Sequence, residues 1–92
     1  MPTITVQLYT TIGKKLVKEK ISTDAANVAQ ALNELERRLG RDFRKELYEE
    51  DGTIRDHYIV SLNGYPVDRK NPESVQVSEN DILLIYAAVS GG

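Results

Sequence analysis

The chain has 92 residues and a mass of 10.3 kDa, room for a single core, which by surface scaling buries roughly 64% of the surface exposed when unfolded. Its 12 Lys+Arg against 14 Asp+Glu leave a formal charge of -2, without the positive field that phosphate neutralisation demands, so nucleic acid is not the expected partner. It contains no cysteine, which excludes disulfides, thiolate-ligated zinc, iron–sulfur clusters and cysteine nucleophiles and leaves an apolar core as the source of stability.

The first residues, Met1 to Tyr9, alternate polar and apolar and lack the basic and apolar regions of a secretory signal. No apolar run approaches the length of a membrane span, so a cytoplasmic protein with no membrane partner is expected. Residues Thr3 to Tyr9 place Ile4, Val6 and Leu8 on one side and Thr5, Gln7 and Tyr9 on the other, the period of a half-buried strand. Thr10 to Gly13 breaks that pattern, and a second strand resumes over Val17 to Ile21 with Val17 and Ile21 inward. Its Lys18 and Lys20 point to water, as on a guarded sheet edge.

The period then changes. Ala25, Val28, Leu32, Leu35 and Leu39 recur at steps of three and four and form the apolar stripe of one main helix. Asn27 and Gln30 have capping-box spacing, with Asp24 as an alternative cap, and Gly40 stands where a left-handed cap is wanted. Arg41 to Asp56 is highly charged with sparse anchors at Phe43, Leu47 and Ile54. It reads as a long connection with one short helical turn and a bend at Asp51-Gly52.

Tyr58, Val60 and Leu62 alternate with Ile59 and Ser61 up to Asn63-Gly64, a hairpin signal through its tolerance of positive φ, and Tyr65-Pro66-Val67 returns as an edge strand. After a polar loop and the turn Ser78 to Asp81 comes Ile82 to Ala87, apolar on both faces, as expected for a central strand or one that meets a partner. The order strand, strand, helix, strand, strand, strand predicts an α+β fold: a mixed sheet of about five strands with one main helix across one face. Residues 1–92 are expected to form one domain ending in a flexible Gly-Gly arm.

Conventional catalytic constellations are missing. His57 has neither a second histidine nor a cysteine to join it in a metal site, and Gly13-Lys14-Lys15 lacks both the upstream glycine and the hydroxyl residue of a phosphate loop. Glu46, Glu49, Glu50 and Asp51 do not have the spacing of calcium-loop ligands, so neither a metal nor a stably bound cofactor is expected. What stands out is Val89-Ser90-Gly91-Gly92, running off the last strand without a polar tail. Side-chain-free residues there suit a carboxylate that must thread a narrow channel, although small residues also occur at ordinary chain ends.

Ile4 to Tyr9, Asn27 to Leu32, the Asn63-Gly64 turn, and Glu79-Asn80-Asp81 leading into Ile82 to Gly92 together resemble the MoaD/ThiS sulfur-carrier family of ubiquitin-like, β-grasp proteins. Glu50 to Arg55 is similar to the longer members, akin to the molybdopterin synthase small subunit, whereas Ala87-Ala88 stands where Pro-Pro is often found. The resemblance implies that an E1-like adenylating enzyme uses ATP to activate the Gly92 carboxylate, that Gly91 gives the arm freedom, and that Gly92 becomes a thiocarboxylate. It further implies delivery of sulfur within the molybdopterin synthase large subunit. Partner contact is implied at positions matching Tyr9, Pro66 and Tyr86; strand parity adds Ile82 and Leu84, and Val89 lies on the arm. Alternatives are a ubiquitin-like modifier, a carrier for cysteine, thiamine or tRNA thiolation, and a β-grasp interaction module whose glycines are incidental.

Overall fold

The computed structural model describes residues 1–12 and 14–87. Strands β1 (Thr3–Ile12) and β2 (Lys15–Asp24) pair antiparallel and are followed by helices α1 (Val28–Leu39) and α2 (Arg41–Leu47). Strands β3 (Tyr58–Leu62) and β4 (Tyr65–Pro66), a 3-10 turn at Pro72–Ser74 and strand β5 (Ile82–Ala87) complete the described chain. The sheet order is β2-β1-β5-β3-β4, with β5 parallel to β1 and antiparallel to β3. The last strand therefore lies between the first and third, and the lysine-bearing and proline-bearing strands occupy the two edges, as expected from sequence.

The core lies between α1 and one face of this sheet. Ile4, Val6 and Leu8 from β1, Val60 from β3, and Leu83 and Ile85 from β5 meet Val28, Leu32 and Leu35 of the helix, all buried. Each such side chain contributes on the order of 1.5–3 kcal/mol by leaving water. Leu39 and Leu62, expected in the same layer, are only partly buried at its margin. Ala25 is buried but precedes the helix, which starts at Val28.

Helix α1 begins where its cap permits. The Asn27 side-chain oxygen accepts from the Gln30 backbone N–H at 2.9 Å, and the Gln30 side chain accepts from the Ala26 N–H at 2.8 Å, one residue before the position a strict capping box uses. Asp24 instead ends β2, accepting from the Thr3 hydroxyl at 2.6 Å.

Three segments depart from the sequence-based expectation. The first hairpin is longer: β1 continues through Thr10 and Thr11, because the one polar group it turns inward, the Thr10 hydroxyl, finds the Tyr58 hydroxyl at 2.6 Å. The expected connection after Gly40 contains a seven-residue helix, α2, so the main helix has a companion. Only Phe43 and Leu47, spaced i,i+4 and both buried, carry its apolar face, too few to mark a helical period amid the surrounding charge. Gly40 has φ 89° and ψ -170°, not the left-handed helical cap, since the chain passes directly from one helix into the next. Val67, expected in the return strand, lies just beyond β4 but is buried, its N–H donating to the Val60 carbonyl at 2.9 Å.

The position of β5 is set by two turns. Asn63 (φ 52°) and Gly64 (φ 89°) make the tight β3–β4 reversal that Asn-Gly favours. The Asn63 amide group also donates to the Asp81 carboxylate at 2.9 Å, while its carbonyl oxygen accepts from the Ile82 N–H at 2.9 Å. The other Asp81 oxygen accepts from the Ser78 N–H at 2.8 Å, and the Asp81 carbonyl accepts from the Thr5 N–H at 2.9 Å. One asparagine and one aspartate thus lock the start of β5 to β3 and β1 together. No helix among the described residues is long and apolar enough to cross a membrane.

Candidate functional site

The face of the sheet turned away from α1 follows from strand parity. Thr5, Gln7 and Tyr9 of β1 pair with Ile82, Leu84 and Tyr86 of β5, and Ser61 and Ile59 of β3 stand opposite Leu84 and Tyr86. Pro66 pairs with Ser61 on β4. The predicted contact residues Tyr9, Pro66, Ile82, Leu84 and Tyr86 therefore share one face. Tyr9 is 43% and Ile82 46% exposed, Pro66 is exposed, and Leu84 and Tyr86 are half-buried. Val89, Gly91 and Gly92 lie outside the described residues.

Two apolar members of this face escaped the sequence reading. Ile59 sits directly across from Tyr86, and the inward Tyr58 beside it was the signal that Ile59 points outward. Leu16, paired with Thr11 and 67% exposed, extends the face toward the first hairpin. Its alternation with Lys18 and Lys20 marks it, but the supposed break at Thr10 to Gly13 hid it. Charge enters along β2: the Lys18 ammonium lies 6.0 Å from the centroid of the Tyr9 ring, at the outer reach of a cation–π contact.

On the opposite face, at the end of β5, a polar bridge spans the last described residue. Tyr58 pairs with Ala87, and Thr10 follows the Tyr9–Tyr86 pair on the other side of the same strand. The Thr10–Tyr58 hydrogen bond therefore crosses β5 at Ala87, beneath the point where the chain leaves for residues 88–92. Both side chains are buried, and alanine leaves the space through which they meet. Burial pushes the Tyr58 hydroxyl pKa up, opposed by its bond to Thr10 and assisted by Glu46.

The remaining titratable features lie off this face. Tyr48 is pushed up by burial and by Glu36, against Arg44. Asp51 is pulled down by the Thr53 backbone N–H, which fixes the bend at Gly52 (φ 88°). His57 is exposed, its ring 4.8 Å from that of Tyr58. An open depression among α1, α2 and residues 48–55 is lined by Arg44 and Arg55, already paired with Glu36 at 2.9 Å and Glu49 at 3.3 Å. Among the described residues no group of three His, Asp or Glu is placed to hold a metal ion. The contact residues predicted from sequence thus meet on one partly exposed sheet face, through which β5 runs.

No protein-family model matches the chain. Ubiquitin-related modifier 1 of Coccidioides immitis (strain RS) is 28% identical over 67 residues, 73% of this chain, and the chain spans 58% of that relative's length. The crystal structure of SAMP1 from Haloferax volcanii superposes with a TM-score of 0.71 at 22% identity, covering 98% of this chain and 99% of that one. A crystal structure of H. volcanii small archaeal modifier protein 1 gives 0.66 at 19% identity, covering 97% and 100%. The solution structure of the H. volcanii HVO 2177 protein gives 0.58 at 23% identity, covering 98% and 88%. These likenesses establish the fold as the ubiquitin-like β-grasp.

Proposed function

We propose that the chain is a ubiquitin-like carrier whose Gly92 carboxylate is activated by an E1-like enzyme and then passed to a nucleophile, with sulfur or an amine as the acceptor chemistry. The observation that carries the reading is a β-grasp sheet whose central strand β5 leads from Ala87 into Ala88-Val89-Ser90-Gly91-Gly92 beside an exposed apolar face. Support comes from the names of two similar proteins, ubiquitin-related modifier 1 and small archaeal modifier protein 1. ATP-dependent activation suits the cytoplasm.

The chemistry needs no catalytic side chain from this chain. A free α-carboxyl has a pKa near about 3.5, so at neutral pH it is an anion and a poor electrophile. Attack by a carboxylate oxygen on the α-phosphorus of ATP expels pyrophosphate and leaves an acyl adenylate. Hydrosulfide attacking the acyl carbon then expels AMP and, on losing its proton, leaves a thiocarboxylate, whereas a lysine amine likewise expels AMP, releases a proton and leaves an amide. The chain supplies a docking face, formed by Tyr9, Tyr86, Leu84, Ile82 and Pro66, and the segment Val89-Ser90-Gly91-Gly92, whose two glycines bring no side chains into a partner's channel.

The pathway-specific form of the proposal is the small subunit of a molybdopterin synthase, favoured by the segment Glu50 to Arg55. In that role the arm enters the large subunit and its thiocarboxylate donates sulfur to a pterin precursor. Sulfur transfer by the loaded chain to that precursor, in the presence of the purified large subunit, tests this form separately from the modifier role.

The general reading is tested by pyrophosphate exchange with the E1-like enzyme of the same genome, followed by intact mass and denaturing gels. Native chain is expected to support exchange and to acquire either an oxygen-to-sulfur mass change or conjugates that survive denaturation. Removing Gly92 retracts the carboxylate by about 3.3–3.6 Å of extended chain and is expected to abolish exchange, since in-line attack tolerates little displacement. Equal activation of the truncated chain overturns the carrier reading and leaves an interaction module.

A further inference from the structure

The charge on the outer sheet face is one-sided. Pairing aligns Lys18 with Tyr9, Tyr86 and Ile59 in one row across the sheet, and Lys20 with Gln7, Leu84, Ser61 and Pro66 in the next. Both lysines are exposed on the β2 margin, whereas the residues that end these two rows on β3 and β4, Ile59 and Pro66, are uncharged; past β4 the exposed Asp68 is followed by Arg69, which pairs with Asp56 at 3.2 Å. Among the described residues neither lysine takes part in an ion pair. The acidic residue sharing their side of β2, Asp24, lies at the far end of the strand and accepts from Thr3. A chain with a net charge of -2 thus presents a locally positive border next to its apolar face.

We propose that this face docks a folded protein surface that is apolar against Tyr9, Tyr86 and Leu84 and carries carboxylates where it meets Lys18 and Lys20, the lysines setting its orientation. The proposal deepens the carrier reading and rests on its docking face. Lysines on an edge strand also discourage strand-to-strand aggregation, but that role alone predicts no dependence of partner binding on their charge. The contact of Lys18 with the Tyr9 ring brings a charge to the boundary of the apolar patch, where a partner carboxylate is only partly screened by water. Charges on one border act chiefly on encounter, because a complementary field turns the partner into register before the apolar surfaces meet.

The experiment is surface plasmon resonance of the full chain against the purified E1-like enzyme of the same genome, at 50 and 500 mM NaCl. Compared are the native chain, Tyr86→Asp, the double variant Lys18→Glu/Lys20→Glu and its neutral counterpart Lys18→Gln/Lys20→Gln, each checked for fold by circular dichroism. The expected result is an association rate at low salt at least tenfold lower for the glutamate pair and severalfold lower for the glutamine pair, with the differences largely gone at high salt. Tyr86→Asp is expected to weaken binding at both salt concentrations. Native rates and salt dependence in both lysine variants, with Tyr86→Asp still defective, overturn the acidic-partner inference and leave the docking face standing. Native binding by all the variants removes the docking face itself. A free chain that sediments as a dimer, and as a monomer after Tyr9→Asp, assigns the face to a second copy and overturns the proposal.

Discussion

On strand β5, Leu83 and Ile85 are wholly buried beneath the first helix, while Ile82, Leu84 and Tyr86, their immediate neighbours, point the opposite way and retain contact with water. The same contrast holds along β1, where Ile4, Val6 and Leu8 are sealed and Tyr9 stays 43% exposed. Apolar residues on the inner face are explained by the core they make. Those on the outer face have no covering layer among the described residues, and the proposed docking role would account for large apolar side chains left open beside charged neighbours. Under the proposed function, folding and recognition fall to alternate residues of the same strands, and the two faces should answer differently to mutation.

The largest effect on stability is expected from the inner face. Leu35→Ala removes a fully buried side chain from the middle of α1 and should cost about 2–5 kcal/mol in urea unfolding, the range for cavities that relax only partly. A loss of a few tenths would mean that α1 does not press Leu35 onto the sheet, and the contrast between the faces would collapse.

A smaller loss is expected where the inner face contains its polar pair. Tyr58→Phe and Thr10→Val each break the 2.6 Å hydrogen bond across Ala87 and should cost about 1–3 kcal/mol, because each leaves one buried hydroxyl unpaired. The double variant should be less destabilised than the sum of the two, since removing both hydroxyls leaves no orphan, and strict additivity would show that the pair is not coupled.

The same tyrosine gives the protein an alkaline limit. Its folded pKa is raised above the ordinary 10.0, chiefly by burial, so its contribution is complete below about pH 10 and is lost as pH rises through the folded value. In that interval the unfolded chain has released the phenolic proton and the folded chain has kept it, which makes stability fall with pH. Tyr48, also raised by burial, acts with the same sign. The urea midpoint should decline above about pH 10, and less steeply in Tyr58→Phe; equal slopes would remove Tyr58 as a cause.

How much of this was legible depended on whether a residue's neighbours in sequence are also its neighbours in space. The β1 alternation, the Asn27 cap, the Asn63-Gly64 reversal and the central placement of β5 were all readable, because each is written in a local period or a backbone preference. Helix α2 was legible only as one short helical turn, since Phe43 and Leu47 are its buried anchors and their partners lie elsewhere in the chain. Thr10 misled for the same reason: a threonine on an inward position looks like the end of a strand until Tyr58, 48 residues away, supplies its partner. On the outer face the predicted residues did assemble, whereas Leu16 was hidden by the false break at Thr10 and Ile59 by being read only as the alternate of Tyr58. The arm residues Val89, Gly91 and Gly92 lie outside the described residues, so their proposed role rests on sequence.

The smallest effect on stability belongs to the outer face, where Tyr9→Asp provides the sharpest comparison. Tyr9 is exposed, pairs across the sheet with Lys18 and Tyr86, and fills no space beneath the helix. Its loss removes the ring beside the Lys18 ammonium, but the new carboxylate gains a cation directly opposite on β2, and such surface exchanges usually change stability by no more than about 0.5 kcal/mol. Binding should respond quite differently. If a partner covers this face, the aspartate must lose its water against an apolar surface, and an unpaired charge buried in an interface costs more than the contact it replaced. Urea unfolding should therefore place Tyr9→Asp within about 0.5 kcal/mol of the native chain, while its affinity for the activating enzyme falls at least tenfold. A large loss of stability would show that Tyr9 belongs structurally with Leu8 and not with the open face, and the division of labour between alternate residues would fail at the strand where it is most plainly drawn.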